Sequence, residues 1–232
     1  MQYLFADCRW ALDDPGLGWT QYLAGHIPGA VFLDVERDLA AGPGAGGRHP
    51  LPSAEAFART AGLAGIGPGT FVVGYGSMGG AERLWWLLRH FGHVECAVID
   101  LDAWHGPLTR GEETPEPSVF ELSERSDDVI LLDELAVRHP ELVVVDARLP
   151  SRWRGEPNPI DRVPGRIPGA LNAPWPDPPP ELPPGELVAY CGSGVTACVT
   201  LHRLHLAGRE GRLYPGSWSE WEQRPELPKE TG

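Results

Sequence analysis

One octapeptide in the chain combines the residue types of nucleophilic chemistry: Tyr190-Cys191-Gly192-Ser193-Gly194-Val195-Thr196-Ala197. An apolar run ends there and a helical pattern begins, with a cysteine first in the turn and two glycines behind it. A glycine-rich turn of this kind lets successive backbone N–H groups point inward, and the helix that follows adds its positive end. Such donors favour the anion of a sulfur at their mouth, thiolate or persulfide alike. The pattern predicts Cys191 as nucleophile. Gly192, Gly194, Val195 and Thr196 form the cradle, and Ser193 offers its hydroxyl to a substrate carbonyl. A small core cysteine after a buried strand is the competing reading for a lone cysteine. The glycine spacing and the helix start turn the choice toward chemistry.

The elements that must hold this loop occur twice. Gly25-His26-Ile27-Pro28-Gly29-Ala30 returns as Gly165-Arg166-Ile167-Pro168-Gly169-Ala170. A strand-like run ending in tyrosine enters a helical pattern at Phe71–Tyr75 and again at Leu187–Tyr190. Each copy opens on an apolar strand closing with an acid, Asp7 or Asp146, and ends on a short strand, a turn and tryptophan: Trp104, then Trp218 and Trp221. Gly76 stands after Tyr75 where Cys191 stands after Tyr190, so the first copy lacks a nucleophile. Short apolar runs alternating with helical patterns specify an α/β fold of parallel sheets flanked by helices. Ser53 is the predicted N-cap of a helix over 54–64. The expected organisation is two tandem domains, 1–115 and 131–232, with the Pro-, Glu- and Ser-rich region supplying a linker at 116–130. The second domain is abbreviated, because the proline-rich stretch 176–186 replaces the helix found in the first.

Composition narrows the classes. The 232 residues carry 19 Lys and Arg against 32 Asp and Glu, a formal charge of −13. That surface repels phosphate backbones and anionic membranes, so neither nucleic acid nor membrane is an expected partner. No apolar run reaches the roughly 18 residues of a spanning helix, and the start shows no basic-then-apolar signal. A cytoplasmic protein is expected. Cys8, Cys96, Cys191 and Cys198 form no CxxC pair and read as reduced thiols, with neither disulfide framework nor metal site.

Cys191-Gly192-Ser193-Gly194-Val195-Thr196-Ala197 resembles the active-site loop of the 3-mercaptopyruvate sulfurtransferases, within the two-domain rhodanese family. Thiosulfate-specific members usually carry Arg and Lys where this chain has Gly192 and Ser193. The Gly-His-Ile-Pro-Gly-Ala motif, Asp146-Ala147-Arg148, Arg152-Trp153-Arg154-Gly155 and Tyr214–Trp221 extend the resemblance over almost the whole chain. It implies two rhodanese-like domains, with catalysis in the second and the first helping to line the site. It also implies transfer of a sulfane sulfur through a Cys191 persulfide, without cofactor or metal. The donor is a small molecule, 3-mercaptopyruvate or alternatively thiosulfate. The acceptor is a thiol, such as a thioredoxin-like protein, or cyanide.

The resemblance further assigns Ser193 to a relay with His49 and an acid, Asp34 or Glu36. It makes Arg152 the carboxylate-binding arginine, the competing reading being a surface pair with Glu156. A second family arginine is missing, since Ile160 or Asp161 stands in its place; Arg162 is the expected substitute. Arg148 and Arg166 are expected to be structural. A phosphatase would need an arginine six residues after the cysteine, where Ala197 stands. A non-enzymatic sulfur-binding or regulatory module is the remaining alternative, and the presence of Cys191 argues against it. The shortened stretch 176–186 leaves the choice between monomer and homodimer open.

Overall fold

The computed structural model describes residues 2–178 and 180–232; position 179, inside the proline-rich stretch, lies outside them. The chain splits into two compact units, one made of Met1–Ala41 and Leu51–Arg125, the other of Gly42–Pro50 and Ser126–Gly232. A nine-residue piece of the first sequence copy thus belongs structurally to the second unit.

The first unit runs β1 (Gln2–Cys8), α1 (Leu17–Ala24), β2 (Val31–Phe32), α2 (Ala54–Leu63), β3 (Thr70–Gly76), α3 (Gly80–His90) and β4 (Cys96–Val98). Its strands are all parallel, in the order β2-β1-β3-β4. Ser53 caps α2 as predicted, its hydroxyl accepting the Ala56 N–H at 3.2 Å. The second unit runs α4 (Leu132–Ala136), β5 (Val143–Asp146), α5 (Pro150–Trp153), β6 (Leu171–Asn172), β7 (Leu187–Tyr190), α6 (Ala197–Leu206), β8 (Arg212–Leu213) and α7 (Ser217–Trp221). Its sheet is again parallel, in the equivalent order β6-β5-β7-β8. All four residues of the central strand β7 are buried. One core cluster joins Val188 and Tyr190 from that strand to Ile167, Tyr214, Trp218 and Trp221.

The duplicated hexapeptide has a physical reason in both units. Pro28 and Gly29, like Pro168 and Gly169, occupy the centre of a β-turn closed by the Ala30 N–H on the Ile27 carbonyl and the Ala170 N–H on the Ile167 carbonyl. Gly29 and Gly169 have φ of 76° and 73°, which proline followed by glycine supplies with least strain. The isoleucine at each turn is then locked to the sheet. Ile27 donates its N–H to the Tyr75 hydroxyl at 3.2 Å, and Ile167 donates to the Tyr190 hydroxyl at 3.1 Å. The strand-terminal tyrosines that mark the repeat are the acceptors that fix it.

Between β6 and β7 the described residues form no helix, as prolines without N–H groups require. The stretch is held down all the same. Arg203 of α6 donates to the carbonyls of Trp175 and Asp177, and Arg209 donates to those of Leu182 and Pro183.

Tyr190→Phe strands a buried N–H on Ile167 and is expected to cost about 1–3 kcal/mol. Urea unfolding measures it, and a loss below a few tenths of a kcal/mol would show that the turn does not depend on the hydroxyl.

Candidate active site

Cys191 follows the central strand β7 at its carboxyl end, where open parallel sheets gather ligands. Only 2% of the residue is exposed. Its sulfur accepts the Gly194 N–H at 3.1 Å. The loop is shaped from behind by α7: the Cys191 and Gly192 carbonyls accept the N–H groups of Trp218 and Ser219 at 3.0 and 2.9 Å. In a trans peptide the N–H points opposite its carbonyl, so these two bonds turn the Gly192 and Ser193 amides away from α7. The Cys191 N–H donates to Ser217 Oγ, whose own proton goes to the Tyr214 carbonyl. Gly194 has φ of 83°, and a Cβ there would lie 2.6 Å from the Pro215 carbonyl oxygen. No other residue fits that position without strain. Val195 is buried, and its carbonyl accepts the Cys198 N–H, while Thr196 is the N-cap residue of α6.

The Gly42–Pro50 segment delivers the partner of Ser193. Gly44 and Gly47 exchange backbone hydrogen bonds, making a tight loop. Gly47 has φ of 101°, and a Cβ on it would sit 2.7 Å from both the Gly216 carbonyl and Ser219 Oγ. The close approach seats the segment against the start of α7, and the Arg48 N–H donates to Ser219 Oγ at 3.0 Å. His49 follows, its Nδ1 lying 2.7 Å from Ser193 Oγ with both residues buried. Asp34 and Glu36 belong to the other unit. There Asp34 Oδ1 accepts the N–H groups of Glu36 and Arg37, and Glu36 is exposed.

Three arginines surround the loop within this unit. Arg152 grips Asp161 through two bonds, Nε to Oδ2 at 2.8 Å and Nη2 to Oδ1 at 2.5 Å. Glu156 pairs with Arg154 at 2.8 Å, so the surface partnership considered for Arg152 falls to its neighbour. Arg148 is wholly buried between Asp146, the Gly165 carbonyl and the Trp218 ring, tying loops together as expected. Arg166 likewise joins Glu230 to the carbonyls of Trp153 and Gly232.

The third arginine at the loop, after Arg152 and Arg148, is Arg48, which the sequence does not single out beside its neighbour His49. A Cβ on Gly192 would lie 2.8 Å from Arg48 Nη2 and 2.8 Å from Arg152 Nη2. Two guanidinium groups therefore close on the residue after the nucleophile, and glycine is what admits them. Arg162 lines a cavity of about 460 Å³ together with Arg48, Ile160, Ser219 and Glu222.

Burial opposes ionisation of Asp161, but the hydrogen bond and charge of Arg152, with Arg148 behind, hold its carboxyl below the usual range. Arg48 is shifted down, first by burial and then by the charge of Arg152. Among the described residues, no three His, Cys, Asp or Glu side chains group to hold a metal ion, and no helix is long and apolar enough to cross a membrane. None of the four cysteines is in a disulfide.

The rhodanese-like domain family matches residues 2–105 and 130–224. The chain is 41% identical to a probable 3-mercaptopyruvate sulfurtransferase of Pseudomonas aeruginosa, over 99% of this chain and 92% of that protein. It is 36% identical to a putative thiosulfate sulfurtransferase of Mycobacterium tuberculosis, over 97% and 90%. The solved structure of the 3-mercaptopyruvate enzyme from Escherichia coli superposes with a TM-score of 0.78 at 29% identity, covering 94% of this chain and 93% of that one. That of the Leishmania major enzyme superposes with a TM-score of 0.82 at 28% identity, covering 97% and 72%.

The Arg152–Asp161 pair makes a pH-dependent contribution to stability. The folded-state pKa of Asp161 lies below its unfolded value of about 3.9. Its contribution is therefore complete above that value and is lost as pH falls through the folded pKa. Asp161→Asn is expected to lower the unfolding free energy by about 2 kcal/mol or more near neutrality. The deficit should shrink below about pH 4. Denaturant titrations at both pH values measure it, and a deficit independent of pH would contradict the pairing.

Proposed function

The chain belongs to the rhodanese family and is a sulfurtransferase of the cysteine-persulfide type; within that chemistry we propose that Cys191 takes a sulfane sulfur from 3-mercaptopyruvate and passes it to a thiol. The observation that carries this reading is the Cys191 sulfur held by the Gly194 N–H beside a Ser193–His49 pair 2.7 Å apart.

The reaction follows from those contacts. The Cys191 thiolate attacks the donor sulfur, forming an S–S bond while the donor's C–S bond breaks with its electron pair going to carbon. The leaving fragment is the enolate of pyruvate, and the persulfide keeps the donor's thiol proton or releases it to solvent. Ser193 Oγ donates to the developing enolate oxygen and His49 restores the serine proton, so that the fragment leaves as the enol, which becomes pyruvate when its CH2 carbon takes a proton from water and its hydroxyl gives one up. The loop amides stabilise the persulfide anion as they did the thiolate. An acceptor thiolate, from a thioredoxin-like protein or a small thiol, then attacks the outer sulfur and frees Cys191; cyanide would leave as thiocyanate. Asp34 or Glu36 is proposed as the acid orienting His49 on the family resemblance alone. The Nε–Nη2 edge of Arg152 is taken by Asp161, and its Nη1–Nη2 edge, which faces Gly192, offers the two-pronged grip that suits the carboxylate of a 2-oxo acid.

Thiosulfate is the second reading, because a pair of guanidinium groups beside Gly192 would also hold sulfonate oxygens. Steady-state comparison of the donors separates the two. We expect kcat/KM for 3-mercaptopyruvate to exceed that for thiosulfate by at least tenfold, about 1.4 kcal/mol in transition-state stabilisation; the reverse preference would reassign the donor. Cys191→Ser is expected to abolish turnover with either donor, while Cys96→Ser keeps it. Arg152→Ala should raise KM for the keto acid roughly tenfold with a smaller change in kcat, and an unchanged KM would release Arg152 from that role.

A further inference from the structure

The repeated hexapeptide is completed differently in the two units. In the second, the Arg166 guanidinium lies over the Trp153 ring, 4.0 Å from its centroid, and pairs with the Glu230 carboxylate. Trp153 in turn donates its Nε1–H to the Ala170 carbonyl at 2.8 Å. Tyr22 holds the matching place in the first unit, donating its hydroxyl to the Ala30 carbonyl at 2.9 Å and stacking on His26 with ring centroids 4.0 Å apart. Glu113 is the facing acid there, its Oε1 lying 3.7 Å from His26 Nε2. Ring and carboxylate are present in both units, and the guanidinium in one.

A neutral histidine does not replace it. His26 Nδ1 lies 2.8 Å from the Tyr22 carbonyl, which can only accept, so the ring proton sits on Nδ1. The buried Nε2 is then a second acceptor facing a carboxylate, and it has no hydrogen-bond partner among the described residues.

A cavity of about 350 Å³ opens beside Glu113, a size that takes a small ligand. Trp19, Tyr22 and Phe32 line it, packed with ring centroids 5.4 Å apart. Arg37, Asp38, Glu112 and Glu113 are its charged residues. Arg37 is committed to Asp38, through Nε to Oδ1 at 3.0 Å and Nη2 to Oδ2 at 2.6 Å. Glu112 and Glu113 have no arginine or lysine partner among the described residues. The Glu113 side chain is 40% exposed, so a ligand can reach it. Its backbone is fixed as well. His26 and Thr109 exchange backbone hydrogen bonds, the Gly111 N–H donates to the Leu23 carbonyl, and the Glu113 N–H donates to the Tyr22 hydroxyl at 3.0 Å. Aromatic walls and carboxylates held in place together select a positive charge.

We infer that this cavity binds a small organic cation, an ammonium or guanidinium on an apolar stem, its charge meeting Glu112 and Glu113 and its stem lying along Trp19 and Phe32. The ligand brings from outside the charge that Arg166 provides within the second unit.

Benzylammonium and benzyl alcohol, alike in shape and different in charge, are suitable probes, and isothermal titration of the full chain measures both. Benzylammonium is expected to bind at least about tenfold more tightly than the alcohol, in the parent and in Cys191→Ser alike. The preference should fall below about threefold in the Glu112→Gln/Glu113→Gln double variant, which keeps the Glu113 N–H and its bond. His26→Arg, which copies the arrangement of the second unit, should lose the preference too. Equal binding of the two probes by the parent, or binding of neither, would overturn the inference and leave a proton on Nε2 as the source of the missing charge. So would a preference kept by a double variant whose circular dichroism matches the parent, or one lost in Cys191→Ser, which would put the probe at the reactive loop.

Discussion

Two backbone hydrogen bonds determine what this protein's reactive loop can be. With the carbonyls of Cys191 and Gly192 tied back to the amides of Trp218 and Ser219, the peptide planes of the loop are committed and their N–H groups face the other way. Much of the surrounding sequence serves that commitment. Trp218 is buried in the core with Trp221 and Tyr214, which anchors α7. Gly194 accepts a positive φ against Pro215 so that its N–H can reach the sulfur. Gly47 accepts another so that a loop can close on Gly216 and Ser219. Ser219 then acts twice, its amide holding the Gly192 carbonyl and its hydroxyl holding the Arg48 amide. One short helix therefore sets both the loop carrying the nucleophile and the segment carrying His49.

The electrostatics are local. A chain with a formal charge of −13 gathers Arg48, Arg148 and Arg152 around one loop. Burying ion pairs such as Arg148–Asp146 is an expensive way to stabilise a fold. Here the pairs hold guanidinium planes in fixed orientations, which flexible surface arginines would not do. Asp161 serves two of them, accepting Arg152 squarely and Arg148 at longer range.

Sequence and structure agree most closely where short-range chemistry dictates the outcome. The passage from strand to cysteine loop to helix is legible in Tyr190–Ala197 because glycine spacing, a helical pattern and a buried apolar run all bear on adjacent residues. The same holds for Ile-Pro-Gly-Ala, whose turn geometry follows from proline and glycine themselves. The equivalence of Tyr75 and Tyr190 is visible as a repeat, although their shared work as acceptors for an isoleucine N–H is not. What sequence reading lacks is distance. Arg48 meets Ile160 across 112 positions and His49 meets Ser193 across 144, and spacing alone specifies neither. The family resemblance marks His49, and the fold brings its Nδ1 to Ser193 Oγ. Arg48 beside it carries no such mark, and its approach to Gly192 is legible only in the fold. Glu156 drew attention as a partner for Arg152 because it is close in sequence; the fold gives it to Arg154 and brings Asp161 to Arg152 instead. The prolines of that stretch are incompatible with a helix, but the bonds from Arg203 of α6 and from Arg209 beyond it that pin its carbonyls are legible only in three dimensions.

The central claim is that one sulfur atom, held by the Gly194 N–H, stores another. Incubating the protein with donor and no acceptor, trapping the product by alkylation and mapping its peptides by mass spectrometry tests it directly. The account predicts one added sulfur per chain, confined to the peptide that contains Cys191. Added sulfur on the peptides of Cys8 or Cys96 instead, or none from either donor, would contradict it.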